Sequence, residues 1–292
     1  MATSTCAAPA SPVCQRACLS VAPSTCRTAH GITSLPEGLS VGGSLYLQDC
    51  TGITSLPEGL SVGGYLYLQD CTGITSLPEG LSVGGSLYLQ DCTGITSLPE
   101  GLSVGGSLDL RGTGITSLPE GLSVGGSLDL QDCTGITSLP EGLSVGGYLD
   151  LRGTGITSLP EGLSVGGYLY LQDCTGITSL PEGLSVGGSL YLQDCTGITS
   201  LPDNFSCDSL YLDPERISNV AFRENCGYSS RTIFSAWTGT EFRIAAGCFF
   251  GTIEEFEEAV DEKYSGSAAE AYKQAGRECV EELTEKMNKA GE

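Results

Sequence analysis

Residues 51–71 read TGITSLPEGLSVGGYLYLQDC, and the phrase returns almost letter for letter from His30 to about residue 213. A fixed period of this length constrains the fold more than any bulk property, because each copy becomes one structural unit stacked on the next. Full copies start at Thr51, Thr72, Thr93, Thr113, Thr134, Thr154 and Thr175, preceded by one from His30 and followed by a degraded ninth from Thr196. Two copies, Thr93 to Gly112 and Thr134 to Gly153, are one residue shorter. Their ending LQDC becomes LRG, with a single Gly in place of Asp and Cys. The 42 glycines of the 292-residue chain are therefore a period and not low complexity.

Within a unit the apolar residues are Ile53, Leu56, Leu60, Val62, Leu66 and Leu68. Tyr65 to Gln69 alternates with period two, which predicts a short strand with both leucines on one face. Gly63-Gly64 and the Asp-Cys-Thr-Gly stretch predict turns on either side, and Leu56-Pro57 opens an extended or single-turn back. Each unit is thus one coil of a solenoid: strand, turn, short irregular back, turn. Six aliphatic side chains cannot offset the entropy of ordering their own coil, so stability must accumulate by stacking and the ends must be covered.

Read from Leu66, the unit gives L-x-L-x-x-C-x-x-I-T-x-L-P, with Leu66, Leu68, Cys71, Ile74 and Leu77 in the marked places. This resembles the leucine-rich repeat family in its cysteine-containing form, and the short repeat with Leu-Pro in the back looks like bacterial members. The resemblance covers about residues 30–213. It implies an open, right-handed α/β repeat solenoid with a parallel β-sheet of nine strands on one face, and protein recognition as the usual function. No catalytic residues come with it. Gly-Gly before the strand departs from the common pattern and reads as a tighter convex corner. The buried position after the strand is occupied by Cys50, Cys71, Cys92, Cys133, Cys174 and Cys195, with Thr113 and Thr154 standing there in the short copies. A residue at that place is expected to hydrogen-bond loop backbone that would otherwise be buried unpaired.

With the strand leucines inward, the residues between them line one strand face, and nearly every difference among the copies falls there. Tyr65, Tyr148 and Tyr168 replace serine in the first column. The second holds Tyr46, Tyr67, Tyr88, Asp109, Asp129, Asp150, Tyr170 and Tyr191, and Arg111 and Arg152 replace glutamine in the third. These thirteen residues are the candidate binding surface. Tyrosine gives large contact area at low side-chain entropy cost, and with Asp and Arg on a rigid frame it has the composition of a recognition surface. Neutral drift on a solvated sheet is the competing reading. Glu37, Glu58, Glu79, Glu100, Glu120, Glu141, Glu161 and Glu182 form a row on the back, read as solvated, with calcium bridging as the alternative.

Residues 1–29 carry Cys6, Cys14, Cys18 and Cys26 as C-x7-C-x3-C-x7-C and read as an N-terminal cap, stapled by disulfides or holding a four-thiolate metal site. After Asp213-Pro214 the period ends, and residues 214–292 read as a small ββαα capping domain. A hairpin is predicted over 231–237 and 241–245, then helices over 253–264 and 268–289 opened by capping boxes at Thr252 to Glu255 and Ser267 to Glu270. Phe205, Phe222, Phe234, Trp237, Phe249 and Phe250 are available to cover the last coil, and Cys207, Cys226, Cys248 and Cys279 read as buried thiols.

Thirteen Lys and Arg against 35 Asp and Glu give a net charge of −22, which repels nucleic acid and anionic lipid. No apolar run is long enough to span a membrane and no signal-peptide pattern opens the chain, so neither a membrane nor a nucleic acid is an expected partner. The column of like thiols points to the cytoplasm, with secretion or a virion surface as the alternative. His30 is the single histidine, so no His-dependent triad can form, and no nucleophile stands beside a base. The expected function is non-catalytic recognition of a protein ligand by a monomer, without cofactor or metal. A fibre or adhesin component and an effector acting through residues 214–292 are the alternatives.

Overall fold

The computed structural model describes residues 26–27, 32–226 and 230–290. The sequence expectations for Cys6, Cys14, Cys18 and His30 lie outside these residues, as do those for the rest of the N-terminal cap except the backbone at 26–27. The chain divides into two compact units, Met1–Ile156 and Thr157–Glu292.

The first unit is a parallel β-solenoid. Strands Leu45–Tyr46, Leu66–Tyr67, Leu87–Tyr88, Leu108–Asp109, Leu128–Asp129 and Leu149–Asp150 pair in parallel in chain order. A further strand, Cys26–Arg27, pairs with the first of them, inside the stretch read as cap. Pairing matches equal repeat positions, Leu45 to Leu66 and Tyr46 to Tyr67, so each repeat position forms a column one strand spacing apart. Alternation then decides which side is core: Leu66, Leu68, Cys71 and Ile74 are fully buried while Tyr65 is exposed.

The back of each coil is not irregular. Ser40–Val41, Ser61–Val62, Ser82–Val83, Ser103–Val104, Ser123–Val124 and Ser144–Val145 form a second parallel sheet. Two residues carry no readable alternation, and their hydrogen bonds run to the neighbouring coil, so nothing within one unit announces them. The buried valines and Leu60 face the strand leucines across the inside of the coil.

Gly-Gly joins the two strands at a bend, as a corner would require. Gly63 N–H donates to Val41 O at 2.8 Å and Gly64 N–H to Gly43 O at 2.9 Å, so the backbone ladder continues through the bend. A Cβ on Gly63 would stand 2.6 Å from Gly42 O. Neighbouring coils touch backbone to backbone at this column, and only glycine leaves room.

In the second unit, strands Leu169–Tyr170, Ser189–Tyr191 and Ser209–Tyr211 pair in parallel, and Ser164–Val165 pairs with Ser185–Val186. Beyond the 3-10 turn Pro214–Arg216 the period gives way to a four-stranded antiparallel sheet of Val220–Cys226, Arg231–Trp237, Phe242–Ala246 and Phe249–Gly251. The predicted hairpin is its middle pair. Val220–Cys226 escapes a sequence reading because Arg, Glu and Asn interrupt its alternation, and Phe249–Gly251 is only three residues long. Helix α1 spans Ile253–Lys263 behind the Thr252/Glu255 capping box, and helix α2 spans Ser267–Ala290, with Ser267 inside the helix instead of capping it.

Ile233 and Ile244 of the sheet pack with Phe256 and Val260 of α1 and Ala269, Tyr272 and Ala275 of α2. The tail also closes the last coil. The Asn219 amide holds both the N–H and the C=O of Leu201, Asn204 N–H donates to Thr238 O, and Phe205 stacks on Phe250 at 5.9 Å. Phe249 and Trp237 pair instead with Phe256 and Phe242. Cys248 is exposed and not a buried thiol, because it follows the left-handed Gly247 turn at the start of a strand.

Candidate functional site

The strand face rests on two local devices. Asp49, Asp70, Asp91 and Asp132 all have φ near +60°, the left-handed turn that ends each long coil, and Gly112 and Gly153 take that position in the short ones. The short coils therefore align differently from their letters: Gly replaces Asp, Thr113 replaces Cys, and the residue dropped is the threonine that follows. The second device is the buried side chain after the turn. Cys71 Sγ donates to Leu47 O and Cys92 Sγ to Leu68 O, each at 2.9 Å and each one coil back. Thr113 and Thr154 instead bond within their own coil, to Leu110 O at 2.7 Å and Leu151 O at 2.6 Å.

Serine in the first column is also structural. The Oγ of Ser44, Ser86, Ser107 and Ser127 accepts the backbone N–H of Tyr65, Ser107, Ser127 and Tyr148 in the following coil, at 2.9–3.0 Å. Tyrosine at this position abandons that bond and projects a ring, leaving Tyr65 46% and Tyr148 36% exposed. The cost of a lost coil-to-coil bond makes these tyrosines informative departures from the repeat.

In the first unit the second column splits into two zones. Tyr46, Tyr67 and Tyr88 stack with centroids 4.5 and 4.7 Å apart and planes within 12°, and Tyr65 meets Tyr67 edge-on at 6.1 Å. The coil spacing sets this separation, so the rings are held as a preformed plate. Burial first, then the neighbouring Tyr46 and Tyr88, raises the Tyr67 hydroxyl pKa above its ordinary value.

The other zone is Asp109, Asp129 and Asp150. Expected as an exposed column, they are 7%, 8% and 2% exposed, because arginine and tyrosine side chains lie over them. Arg111 grips Asp109 with Nε at 3.0 Å and Nη2 at 2.6 Å, and Arg152 repeats the fork on Asp150. Both guanidiniums also reach back one coil, Arg111 to Gln90 Oε1 and Arg152 to Gln131 Oε1, each at 3.2 Å. Where no arginine follows, as at Gln69, the amide oxygen is buried without a donor.

Asp129 lies between the two forks with Gln131 in place of an arginine. Its Oδ2 is 3.4 Å from Arg111 Nε and 3.5 Å from the Tyr148 hydroxyl, and its Oδ1 accepts Gln131 N–H at 3.1 Å. Burial, with Asp150 and Asp109 on either side, lifts its pKa to about 6 against the lowering pull of Gln131 N–H and Arg111. Three acids and two arginines thus form one block, and within it Asp129 is the acid whose burial raises its pKa to about 6.

In the second unit, Tyr170, Tyr191 and Tyr211 form a second stack at 4.8 and 4.7 Å, with Tyr168 tilted against Tyr170 at 6.1 Å and 47% exposed. Tyr211, from the degraded last copy, was not among the candidate residues, although its place in the Leu-Tyr-Leu motif marks it. The back-row glutamates are exposed. Among the described residues no group of three or more His, Cys, Asp or Glu is arranged to hold a metal ion, and no helix is long and apolar enough to cross a membrane.

Comparison with known protein families, curated proteins and solved structures finds no match for this chain.

Proposed function

We propose that the strand face is a non-catalytic recognition surface for a protein ligand, and that the array is a short, cysteine-containing form of leucine-rich repeat. The observation that carries this reading is the exchange of serine for tyrosine at Tyr65 and Tyr148. A serine that bonds the next coil gives way to a large exposed ring, on the face that also holds the preformed tyrosine plate and the Asp/Arg block. Rigid, partly exposed aromatics beside forked ion pairs suit the desolvated centre of an interface, where Tyr and Arg dominate binding energy.

Ten free cysteines among the described residues favour a reducing compartment, and the acidic surface favours a monomer that meets its ligand through this face. Affinity capture with the intact chain, followed by the same capture with Tyr65, Tyr67 and Tyr88 changed to alanine, tests the reading. Loss of one defined protein from the second capture is the expected result. An unchanged set of captured proteins would leave the face without a role.

A further inference from the structure

The second unit contains a cavity of about 170 Å³ between the antiparallel sheet and α1. Its floor is Phe256, Val260 and Tyr272, all buried, with the partly buried Phe249 and Tyr264 as walls; Arg231, Cys248 and Lys263 stand exposed around its mouth. The rings are ordered against one another: Phe249 lies 5.7 Å from Phe256, and Tyr264 stacks on Tyr272 at 4.6 Å.

A census of charge sets this cavity apart. Apart from Arg231 and Lys263, every lysine and arginine side chain within residues 32–226 and 230–289 is within 4.0 Å of a carboxylate, whether on the strand face or along the helices. Arg231 and Lys263 make no ion pair among the described residues, in a chain of net charge −22 where acidic partners abound. Within these residues, the two cations that make no ion pair border the same apolar cavity. Lys263 Nζ lies 5.9 Å from the Tyr264 ring centroid, and Arg231 is close enough to that tyrosine to lower its pKa against the larger upward pull of the Tyr272 hydrogen bond.

We propose that this cavity binds a single aromatic ring carrying a carboxylate. A cavity of about 150 Å³ lined by apolar side chains accommodates benzene, so the volume suits one ring. Aromatic walls favour a flat apolar body. The guanidinium fork of Arg231 and the ammonium of Lys263 supply the donors a carboxylate requires, at a rim where it keeps part of its hydration. The ligand chemistry has two sources, a free aryl acid or the C-terminal phenylalanine of a peptide. The inference does not depend on the role of the strand face.

The test is titration of the full-length chain with 3-phenylpropionate, with 3-phenylpropanol and propionate as controls lacking the charge or the ring. The same titration is repeated on the Arg231→Gln/Lys263→Gln double variant. Both side chains are exposed and make no ion pair among the described residues, so the variant should keep the wild-type circular dichroism and unfolding midpoint. The expected result is saturable binding of 3-phenylpropionate, weakened at least about tenfold in the variant, as loss of charge-assisted hydrogen bonds requires, with propionate not bound. Bound acid should also slow alkylation of Cys248 at the rim.

A peptide ending in free phenylalanine and its amidated counterpart identify the source. Tighter binding of the free-acid peptide than of 3-phenylpropionate assigns a chain terminus, and the reverse assigns a small acid. No saturable binding of either acid to the wild type, or equal affinity in the double variant, would overturn the proposal.

Discussion

Cys133 Sγ lies 3.4 Å from Thr113 Oγ1, and both side chains donate to one acceptor, the carbonyl oxygen of Leu110, at 3.0 and 2.7 Å. Cysteine reaches back one coil and threonine closes its own coil, so the two residues divide between them the task of satisfying a buried turn. The short copies can dispense with a residue because the hydroxyl, on a shorter arm, needs no neighbour.

Thiol reactivity follows from that burial. Desolvation pushes Cys71 up to about 11 and Cys92 and Cys195 up to about 12, keeping them protonated and unreactive, whereas Cys248 is exposed. Iodoacetamide at pH 8 is expected to label Cys248 quickly and the nine buried cysteines from Cys50 to Cys279 only after unfolding. Peptide mapping by mass spectrometry reads this directly.

The glycine columns differ in purpose. Gly59 has φ +69° and no atom within 4 Å of an added Cβ, so Gly59→Ala should cost only the left-handed strain, about 1 kcal/mol. Gly63→Ala drives a Cβ to 2.6 Å from the Gly42 carbonyl oxygen and must displace a neighbouring backbone. Its cost is expected to be larger, roughly 2 to 3 kcal/mol, and paired denaturant midpoints check the order.

Asp129 makes stability depend on pH. Below about pH 4 its carboxyl is protonated in both folded and unfolded chains. Between there and its folded value of about 6 only the folded chain holds the proton, so stability falls as pH rises, and above that it is flat. The displacement from 3.8 to about 6 is worth on the order of 3 kcal/mol. Asp129→Asn should therefore gain stability over the wild type at pH 8 relative to pH 4, by up to that amount. Urea unfolding of both proteins at the two pH values isolates this residue from the other carboxylates.

The Arg111 fork ties two acids together. Arg111 contacts Asp109, Asp129 and Gln90. Arg111→Ala leaves two buried carboxylates without their cation and is expected to destabilise by about 3 kcal/mol or more. Adding Asp109→Asn to that variant should recover part of the loss, which a double-mutant cycle would measure.

Much of the fold was legible because the repeat states it many times over. The Leu-x-Leu strand and the inward leucines follow from alternation within a single unit, and the buried Cys/Thr position from the repeat resemblance and its column of like residues. The Ser-Val sheet and the purpose of Gly-Gly were not legible, since both are relations between coils that one unit cannot display. Burial of Asp109, Asp129 and Asp150 was hidden for a related reason: the covering arginine lies two residues away, on the same strand face, and closes over the acid only in three dimensions. Arg231 and Lys263 gave no signal, because an unpaired cation is recognised only once every other charge has found its partner.

The central claim, recognition through the strand face, is tested most directly by comparing affinity for a captured protein ligand between two triple variants. One carries Tyr65→Ala, Tyr67→Ala and Tyr88→Ala on the strand face; the other carries Glu58→Ala, Glu79→Ala and Glu100→Ala on the exposed back of the same coils. The expected result is a loss of at least about a hundredfold for the tyrosine variant, as for interface hot spots, with the glutamate variant within about threefold of the wild type. Equal affinity in the tyrosine variant and the wild type, with the tyrosine variant folded, would contradict it.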